Sequence, residues 1–338
     1  MKVRIIGDAP AAAVLAGVLA AEQQEVVWNP DAEGDRRLKA LKRRKEIRLI
    51  LPWGWLRTEG FRLSSSPLLK TGELGLVARR TRAAPAGVTR AAPAGQQGAN
   101  GGANKTLLVL DSGPGQQDAQ SAQRSLVPGT TVLRGICLLE ALEWDPGMVE
   151  VTSPQPRLIV EAGGRLGELQ RSLKARGIAV QEVGDLAPYR NALHIRDLLA
   201  LPVALCHSTA GNFLSYPEGR EIAVSLLEEG LQLYAHRGLP LGKLPLLDPR
   251  DLLQRLRRRR PQEFDKARTF PDRAYGEALQ HLLAGDARAA KQPHDRIVRM
   301  SAQTGIDPRW NWAVAQRINR AIRVGFYRDP VELYNALQ

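Results

Sequence analysis

The chain contains 338 residues, 43% of them hydrophobic and 25% charged, which are the proportions of a globular protein with room for two domains. Its 48 Lys and Arg residues outnumber its 35 Asp and Glu residues, and the net charge of +13 suits phosphate-bearing ligands, from a 2′-phosphorylated cofactor to nucleic acid. The two cysteines exclude a disulfide framework and a cysteine-rich zinc site, and the histidine spacing predicts no metal site. We expect a cytoplasmic protein without a signal peptide or a membrane span.

The chain opens with the strand–helix–strand pattern typical of dinucleotide-binding units. A β-branched strand at 3–6 leads to Gly7, an alanine-rich helix follows, and a second strand covers 25–28. The G-x-G-x-x-G fingerprint has glycine at three positions, which are occupied here by Gly7, Ala9 and Ala12. A β-carbon at the second of these positions obstructs the approach of the backbone to a pyrophosphate. The sequence therefore predicts the scaffold of a nucleotide site with altered contacts.

More strands and a low-complexity insertion follow in the first half of the chain. Residues 48–63 are predicted as a short hairpin or loop, and residues 73–81 as a buried strand. Two copies of "TRAAPAG" lead into a Gly- and Gln-rich stretch with almost no large apolar residue, so we predict a disordered surface insertion over 82–105. The sheet resumes in "KTLLVLDSGPG" (105–115), and residues 130–164, which contain a "DPG" turn, are predicted as antiparallel strands.

The second half of the chain is predominantly helical in pattern. The leucine spacing over 164–177 predicts a helix that ends at Gly177, and a short strand follows over 178–183. Residues 1–185 are therefore predicted to form an α/β domain and residues 186–338 an all-helical domain. In this second domain the pattern predicts helices over 192–206, 217–237, 248–259, 273–290, 291–304 and 309–323.

Taken in this order, the segments resemble the ketopantoate reductase (2-dehydropantoate 2-reductase) family over nearly the full chain. The likeness is carried by stretches such as "LVARRT", "VLDSGPG", "LGELQRSLKARGIAVQEVGDL" and "GEALQHLLAGDARAAKQPHDRIVRMSAQTGI". It implies a Rossmann-like NAD(P)-binding domain and a helical domain like the C-terminal domain of 6-phosphogluconate dehydrogenase. It also implies an NADP-dependent oxidoreductase of pantothenate biosynthesis that reduces an α-keto acid such as 2-dehydropantoate and forms a homodimer through the helical domain.

The resemblance assigns the cofactor site to the first glycine turn and to the ends of later strands. Pro10 removes one N–H that the helix start could offer to a phosphate. Arg36 and Arg37 could bind the 2′-phosphate of NADP, and a solvated helix face is the alternative. Arg80 stands where the family has a lysine, and Ser112 where it has an asparagine. The candidate cofactor-binding residues are Gly7, Asp8, Ala9, Pro10, Ala11, Ala12, Asn29, Arg36, Arg37, Arg80, Ser112 and Gly113.

The catalytic position departs from the pattern of the family. Family members have a lysine on the first helix of the second domain, and this lysine acts as the general acid in ketone reduction. Alignment puts Asp197 at that position, and a shift of one residue puts Arg196 there, although an arginine stays protonated and is a poor proton donor. His194 is the nearby group that titrates near neutrality, either as a replacement acid or as a structural histidine. The candidate catalytic residues are therefore Arg196, His194 and Asp197.

Three functions follow as alternatives. The first is a divergent NADP-dependent reductase in which Arg196 and Ser112 hold the keto acid. The second is a catalytically inactive member of the family, a pseudoenzyme that keeps the two-domain body as a binding or assembly protein. The third is nucleic-acid binding, which rests on charge alone because the sequence has no helix-turn-helix, zinc or aromatic stacking motif, so nucleic acid is the least favoured partner.

Overall fold

The computed structural model describes residues 1–7, 10–30, 35–64, 73–78, 105–111, 130–153, 155–163, 166–244, 248–258 and 276–338. The chain divides into two compact units, Met1–Leu186 and Ala187–Gln338, and each has its own hydrophobic core. Within these residues, no helix combines the length and the apolarity that a bilayer crossing requires. Most of the insertion predicted at 82–105 falls outside the described residues, and Lys105 already belongs to a strand.

The strands of the first unit form two sheets. They are β1 (Lys2–Ile6), β2 (Glu25–Asn29), β3 (Ile47–Leu51), β4 (Gly54–Thr58), β5 (Phe61–Leu63), β6 (Leu74–Ala78), β7 (Lys105–Asp111), β8 (Thr130–Leu138), β9 (Ala141–Asp145), β10 (Met148–Val151), β11 (Arg157–Glu161) and β12 (Ala179–Val183). Among the described residues, an eight-stranded sheet has the order β12-β11-β8-β7-β6-β1-β2-β5, and a four-stranded sheet has the order β4-β3-β10-β9. The hairpin predicted within residues 48–63 is confirmed as β3 and β4, which pair antiparallel.

The larger sheet is parallel except at one pair of strands. The antiparallel strands predicted over 130–164 are confirmed, because β8 pairs antiparallel with β11 and β9 pairs antiparallel with β10, while β8 also runs parallel to β7 on its other side. The connection over 112–129 has the length that a crossover between parallel strands needs, whereas a hairpin needs only a few residues. This mainly parallel sheet packed with helices is the α/β architecture that the sequence predicts.

The first helix, α1 (Pro10–Ala21), lies between the two sheets. It contacts strands of the eight-stranded sheet, including β1 and β2, and all four strands of the smaller sheet. Because both of its sides are covered, residues 11–20 are all buried, and the helix is apolar all round rather than amphipathic. The small alanine side chains let the two sheets pack closely on the helix that follows the first glycine turn.

Gly17 is the position in α1 where the second sheet comes closest. A β-carbon added there would lie 3.0 Å from Leu49 Cδ1 and 3.1 Å from Ile47 Cγ2, both on β3. We expect Gly17→Val to lower the free energy of unfolding by about 2 kcal/mol through overpacking. In Gly17→Ala, by contrast, relief of the glycine helix penalty offsets the small clash. Urea denaturation measures both.

The matched control for this substitution is Gly167→Ala. Gly167 is the first residue of α3 (Gly167–Ala175), and a β-carbon added there meets nothing within 4 Å. If Gly17→Val proved as stable as Gly167→Ala, the contact between α1 and β3 would be looser than the structure shows.

The second unit is built from helices after residue 186. They are α4 (Ala187–Asp197), α5 (Ala200–Leu205), α6 (Ala210–Ser215), α7 (Pro217–His236), α8 (Pro249–Arg257), α9 (Gly276–Leu283), α10 (Ala287–Ser301), α11 (Arg309–Gln316), α12 (Ile318–Arg323) and α13 (Pro330–Leu337). The prediction of one helix over 192–206 is wrong, because the segment begins earlier and breaks after Asp197. Pro202 has no N–H for the carbonyl of Leu198, one turn before it, so the break falls where the helix loses that hydrogen bond. The all-helical character of this unit is confirmed.

Candidate functional site

The carboxyl ends of β1 and β6 mark the point where the strand order of the larger sheet reverses. From β1 the chain continues to β2 and β5 on one side of the sheet, and it then returns to β6, β7 and β8 on the other side. Ligands of open parallel sheets bind in the crevice outside the carboxyl ends of the strands at such a reversal. The first glycine of the fingerprint follows β1 directly, so it lies at this point.

Gly7 forms the sharp turn between β1 and α1. Its φ of +139° lies in the region that glycine adopts without strain. The N–H of Gly7 donates to the carbonyl of Asn29 at 2.9 Å, and its carbonyl accepts a hydrogen bond from Nε1 of Trp28 at 3.1 Å. The carbonyl of Trp28 accepts in turn from the N–H of Ser64 at 2.9 Å, just beyond β5. The last two residues of β2 therefore hold both the N–H and the carbonyl of Gly7 in place.

The start of α1 is compatible with a phosphate despite the missing glycines. Ala12 is fully buried at the third fingerprint position, where alanine serves as well as glycine for close packing of helix on strand. Pro10 begins the helix, and Ala11 is 8% exposed. The N–H groups of a first helical turn have no acceptor within the helix and can donate to an anion. Asp8 and Ala9, between Gly7 and the helix, lie outside the described residues.

The residues predicted to contact the ribose and the 2′-phosphate of the cofactor lie at the end of β2 and in the helix that follows. Asn29 is the last residue of β2 and is buried, at the strand end where dinucleotide folds place the residue that contacts the ribose. Arg36 and Arg37 lie in the first turn of α2 (Asp35–Arg44), and the described part of the structure does not include their side chains. The predicted residues Arg80, Ser112 and Gly113 also lie outside it.

Trp28 is a residue of this site that sequence reasoning missed. The signal was its place next to Asn29, at the end of a short buried strand, because a large aromatic residue there is within reach of the turn after the neighbouring strand. The side chain is fully buried and is tilted against Phe61, with ring centroids 6.2 Å apart. Its indole is the side-chain donor to the first glycine.

We expect Trp28→Phe to lower the free energy of unfolding by about 1 to 3 kcal/mol, because the buried carbonyl of Gly7 loses its donor while an aromatic ring is kept. Thermal or urea unfolding measures the loss. Trp312→Phe is the control, because Trp312 is 54% exposed. Equal stability of the two variants would mean that the indole hydrogen bond contributes nothing to the turn.

His194 is not placed as a proton donor, and this candidate is corrected. The side chain lies on α4 and is fully buried, with Nδ1 2.7 Å from the Tyr234 hydroxyl and Nε2 2.8 Å from the carbonyl of Pro293. Burial, together with the charge of Arg296, lowers the pKa of His194 to about 3. A ring that is neutral at physiological pH and has both nitrogens hydrogen-bonded within the protein has no proton to deliver to a substrate. His194 is therefore the structural histidine of the two alternatives.

Arg196 and Asp197 form an ion pair at the end of α4. Nε and Nη2 of Arg196 donate to one oxygen of Asp197 at 3.0 and 2.7 Å, and the two side chains are 18% and 16% exposed. Burial raises the pKa of the Asp197 carboxyl, and the adjacent guanidinium opposes this rise. The two candidates thus lie together, and a substrate carboxylate would compete with Asp197 for Arg196.

Comparison with known proteins supports the fold but does not show which reaction the protein catalyses. No protein-family model and no curated sequence matches the chain. Among solved structures, a PanE/ApbA family ketopantoate reductase from Ralstonia eutropha JMP134 is similar over 100% of both chains, with 16% identity and a TM-score of 0.64. The 2-dehydropantoate 2-reductase from Methylococcus capsulatus is 14% identical over 94% of this chain and 96% of its own, with a TM-score of 0.64.

A third similar structure is D-mandelate dehydrogenase in a ternary complex with NADH and anilino(oxo)acetate. It is 11% identical and covers 100% of this chain and 99% of its own, with a TM-score of 0.63. The TM-scores of 0.63 to 0.64 show a common fold, whereas identities of 11% to 16% do not show a common activity. The predicted Rossmann-like unit followed by a helical unit is confirmed, and the chain has the fold of the ketopantoate reductases.

Proposed function

We propose that the protein is a divergent member of the ketopantoate reductase family that binds NADP and reduces an α-keto acid by hydride transfer. The observation that carries the proposal is the glycine turn at the strand-order reversal, where Gly7 adopts a positive φ and is followed by the start of a buried helix. Residues 1–185 serve as the nucleotide-binding domain and residues 186–338 as the substrate and dimerisation domain. The product would be a 2-hydroxy acid. The reaction would take place in the cytoplasm and would belong to pantothenate biosynthesis.

The first turn of α1 and the end of β2 fit a dinucleotide. The N–H groups of Ala11 and Ala12 would donate to the pyrophosphate, Asn29 would contact the ribose, and Arg36 and Arg37 would bind a 2′-phosphate. When bound, the cofactor supplies the hydride. We expect Arg36→Ala combined with Arg37→Ala to weaken NADPH binding about tenfold or more while NADH binding stays unchanged, because NADH has no 2′-phosphate for the two lost charges to bind. Calorimetric titration with both cofactors measures this.

The keto acid is proposed to bind through its carboxylate to Arg196. Reduction adds a hydride to the keto carbon and a proton to its oxygen. With His194 removed as a donor, Asp197 is the candidate left on α4 that can carry this proton, since its pKa is raised by burial. The activity is tested directly by adding 2-dehydropantoate to the protein and NADPH. Oxidation of NADPH is then measured as a loss of absorbance at the nicotinamide band.

A catalytically inactive binding protein is the second candidate function. It is favoured by the Arg196–Asp197 ion pair, which occupies the guanidinium that would hold the substrate, and by the burial of His194. NADPH binding without any oxidation by 2-dehydropantoate or other short keto acids would favour this function. Absence of binding of either nicotinamide cofactor at millimolar concentration would reject the dinucleotide site itself.

A further inference from the structure

The segment around α12 contains three buried polar atoms that lack a hydrogen-bond partner. They are Nε of Arg317, Nη1 of Arg320 and the hydroxyl of Tyr327, and the statement holds for the part of the chain that the structure describes. Buried polar groups in proteins nearly always have a partner. Three such atoms in one short segment of the helical unit therefore point to a partner that the protein itself does not supply.

Tyr327 brings these atoms together. The residue is 2% exposed, and its N–H donates to the carbonyl of Leu205, at the end of α5, at 2.9 Å. The Arg320 guanidinium lies over the ring, with Cζ 4.0 Å from the ring centroid. Burial raises the pKa of Tyr327, the charges of Arg320 and Arg317 oppose this rise, and the charge of Glu332 adds to it. Two cations and one anion therefore act on the phenol.

The three groups cannot satisfy one another. Arginine has N–H donors and no acceptor, whereas a tyrosine hydroxyl has one donor and can also accept. If an N–H of Arg320 donates to the hydroxyl oxygen, the hydroxyl hydrogen of Tyr327 and Nε of Arg317 are still left without an acceptor. The cluster therefore lacks an acceptor, and hydrogen bonds from guanidinium groups are strongest when that acceptor is negatively charged.

The acceptors on α13 engage other nitrogens of the two arginines. Nη2 of Arg320 donates to Oε1 of Glu332 at 2.7 Å, and Nη2 of Arg317 donates to the carbonyl of Ala336. Glu332 is one carboxylate for two guanidinium charges, so one positive charge is left uncompensated. The side chains of Arg320 and Glu332 are each 37% exposed, which opens this edge of the cluster to solvent.

We propose that Tyr327, Arg317 and Arg320 bind a small oxyanion, of the size of inorganic phosphate or a short carboxylate. The Tyr327 hydroxyl and the two free guanidinium N–H groups donate to its oxygens, and its charge compensates the excess positive charge. The anion enters at the exposed edge and competes there with Glu332 for Arg320. The site belongs entirely to the helical unit, whereas the glycine turn of the proposed dinucleotide site belongs to the first unit.

Thermal unfolding of the full chain in sodium phosphate, at an ionic strength held constant with sodium chloride, tests the proposal. Phosphate is expected to raise the melting temperature of the wild type, and Tyr327→Phe is expected to weaken phosphate binding about tenfold or more. Without phosphate, Tyr327→Phe should melt at the same temperature as the wild type or higher, because it removes a buried hydroxyl that has no acceptor. A purely structural tyrosine would not give this reversal. No effect of phosphate on the wild type, or an equal effect on Tyr327→Phe, would overturn the proposal.

Two further variants and a control test the charges. Arg317→Gln is expected to weaken phosphate binding, and Glu332→Gln to strengthen it a few-fold, because a carboxylate no longer competes for Arg320. Arg323→Gln is the matched control, since Arg323 is an exposed arginine at the end of α12. If Arg323→Gln weakened binding as much as Arg317→Gln, the effect would be that of net charge and the site would be rejected.

The same titration in saturating NADPH separates this site from the dinucleotide site. Phosphate should still stabilise the wild type under these conditions, and loss of the effect would place the phosphate at the glycine turn and overturn the proposal. Sodium acetate in place of phosphate identifies the class of ligand, since the anion that stabilises the wild type more strongly carries the chemistry that the site takes.

Discussion

Glu229→Ala is expected to lower the free energy of unfolding by about 3 to 5 kcal/mol. Glu229 lies on α7, and its carboxylate accepts hydrogen bonds from the backbone N–H groups of Trp310 and Asn311 at 2.7 and 3.0 Å and from Nδ2 of Asn311 at 2.8 Å. These backbone groups belong to the first turn of α11 and have no acceptor in their own helix. Alanine would leave them buried without an acceptor. Chemical denaturation followed by circular dichroism measures the loss.

The residue before it supplies the control. Glu228 lies on the same helix and accepts from Arg257 at 2.9 Å, with the two side chains 32% and 59% exposed. An exposed ion pair contributes under about 1 kcal/mol, so Glu228→Ala is expected to change stability little. A loss for Glu229→Ala no larger than that for Glu228→Ala would mean that the buried carboxylate does not hold the start of α11.

Acidification from pH 7 to pH 5 is expected to destabilise the helical unit by about 2 kcal/mol for each of two buried histidines. Burial lowers the pKa of His194 to about 3 and that of His294 to about 4, from an ordinary value of 6.5. Below pH 6.5 the unfolded chain binds protons that the folded chain does not. Stability is therefore complete above this pH and falls as the pH drops toward the folded pKa values. Urea unfolding at a series of pH values measures the slope.

The structure explains why His294 cannot take up a proton without cost. It is fully buried, its Nδ1 lies 2.8 Å from Oδ1 of Asn311, and its Nε2 has no hydrogen-bond partner among the described residues. A second N–H on the ring would point at no acceptor. His294→Asn should flatten the slope between pH 5 and pH 6.5, because it removes the buried imidazole whose pKa is lowered. If the slope of the free energy of unfolding against pH were unchanged in His294→Asn, His294 would not contribute to the acid sensitivity.

The sequence alone predicted the order of elements well, because the evidence for them is local. Two signals were used: the alternation of short β-branched strands with an alanine-rich helix, and the later change to helical periodicity. Both depend only on residues that are a few positions apart in the sequence. The hairpin of β3 and β4 and the glycine turn at Gly7 were predicted for the same reason. The boundaries were less accurate, as at the helix broken ahead of Pro202.

The candidate site was predicted less completely than the fold. Gly7, Ala12 and Asn29 were assigned by their place after a strand or at the start of a helix, and they lie where that reasoning put them. His194 was misjudged because a sequence shows that a side chain can titrate, whereas its burial depends on packing against α7 and α10. Trp28 was missed because its partner is 21 residues away.

For this protein, the sequence by itself determined the two-unit organisation and the position of the glycine turn, since both follow from hydrophobic periodicity and from the conformational freedom of glycine. Only the tertiary structure decided which polar groups are satisfied: the indole of Trp28 on Gly7, the carboxylate of Glu229 on α11 and the two neutral histidines. These contacts join residues from different elements, and the free energy of a polar group depends on whether burial removes its water before a partner replaces it.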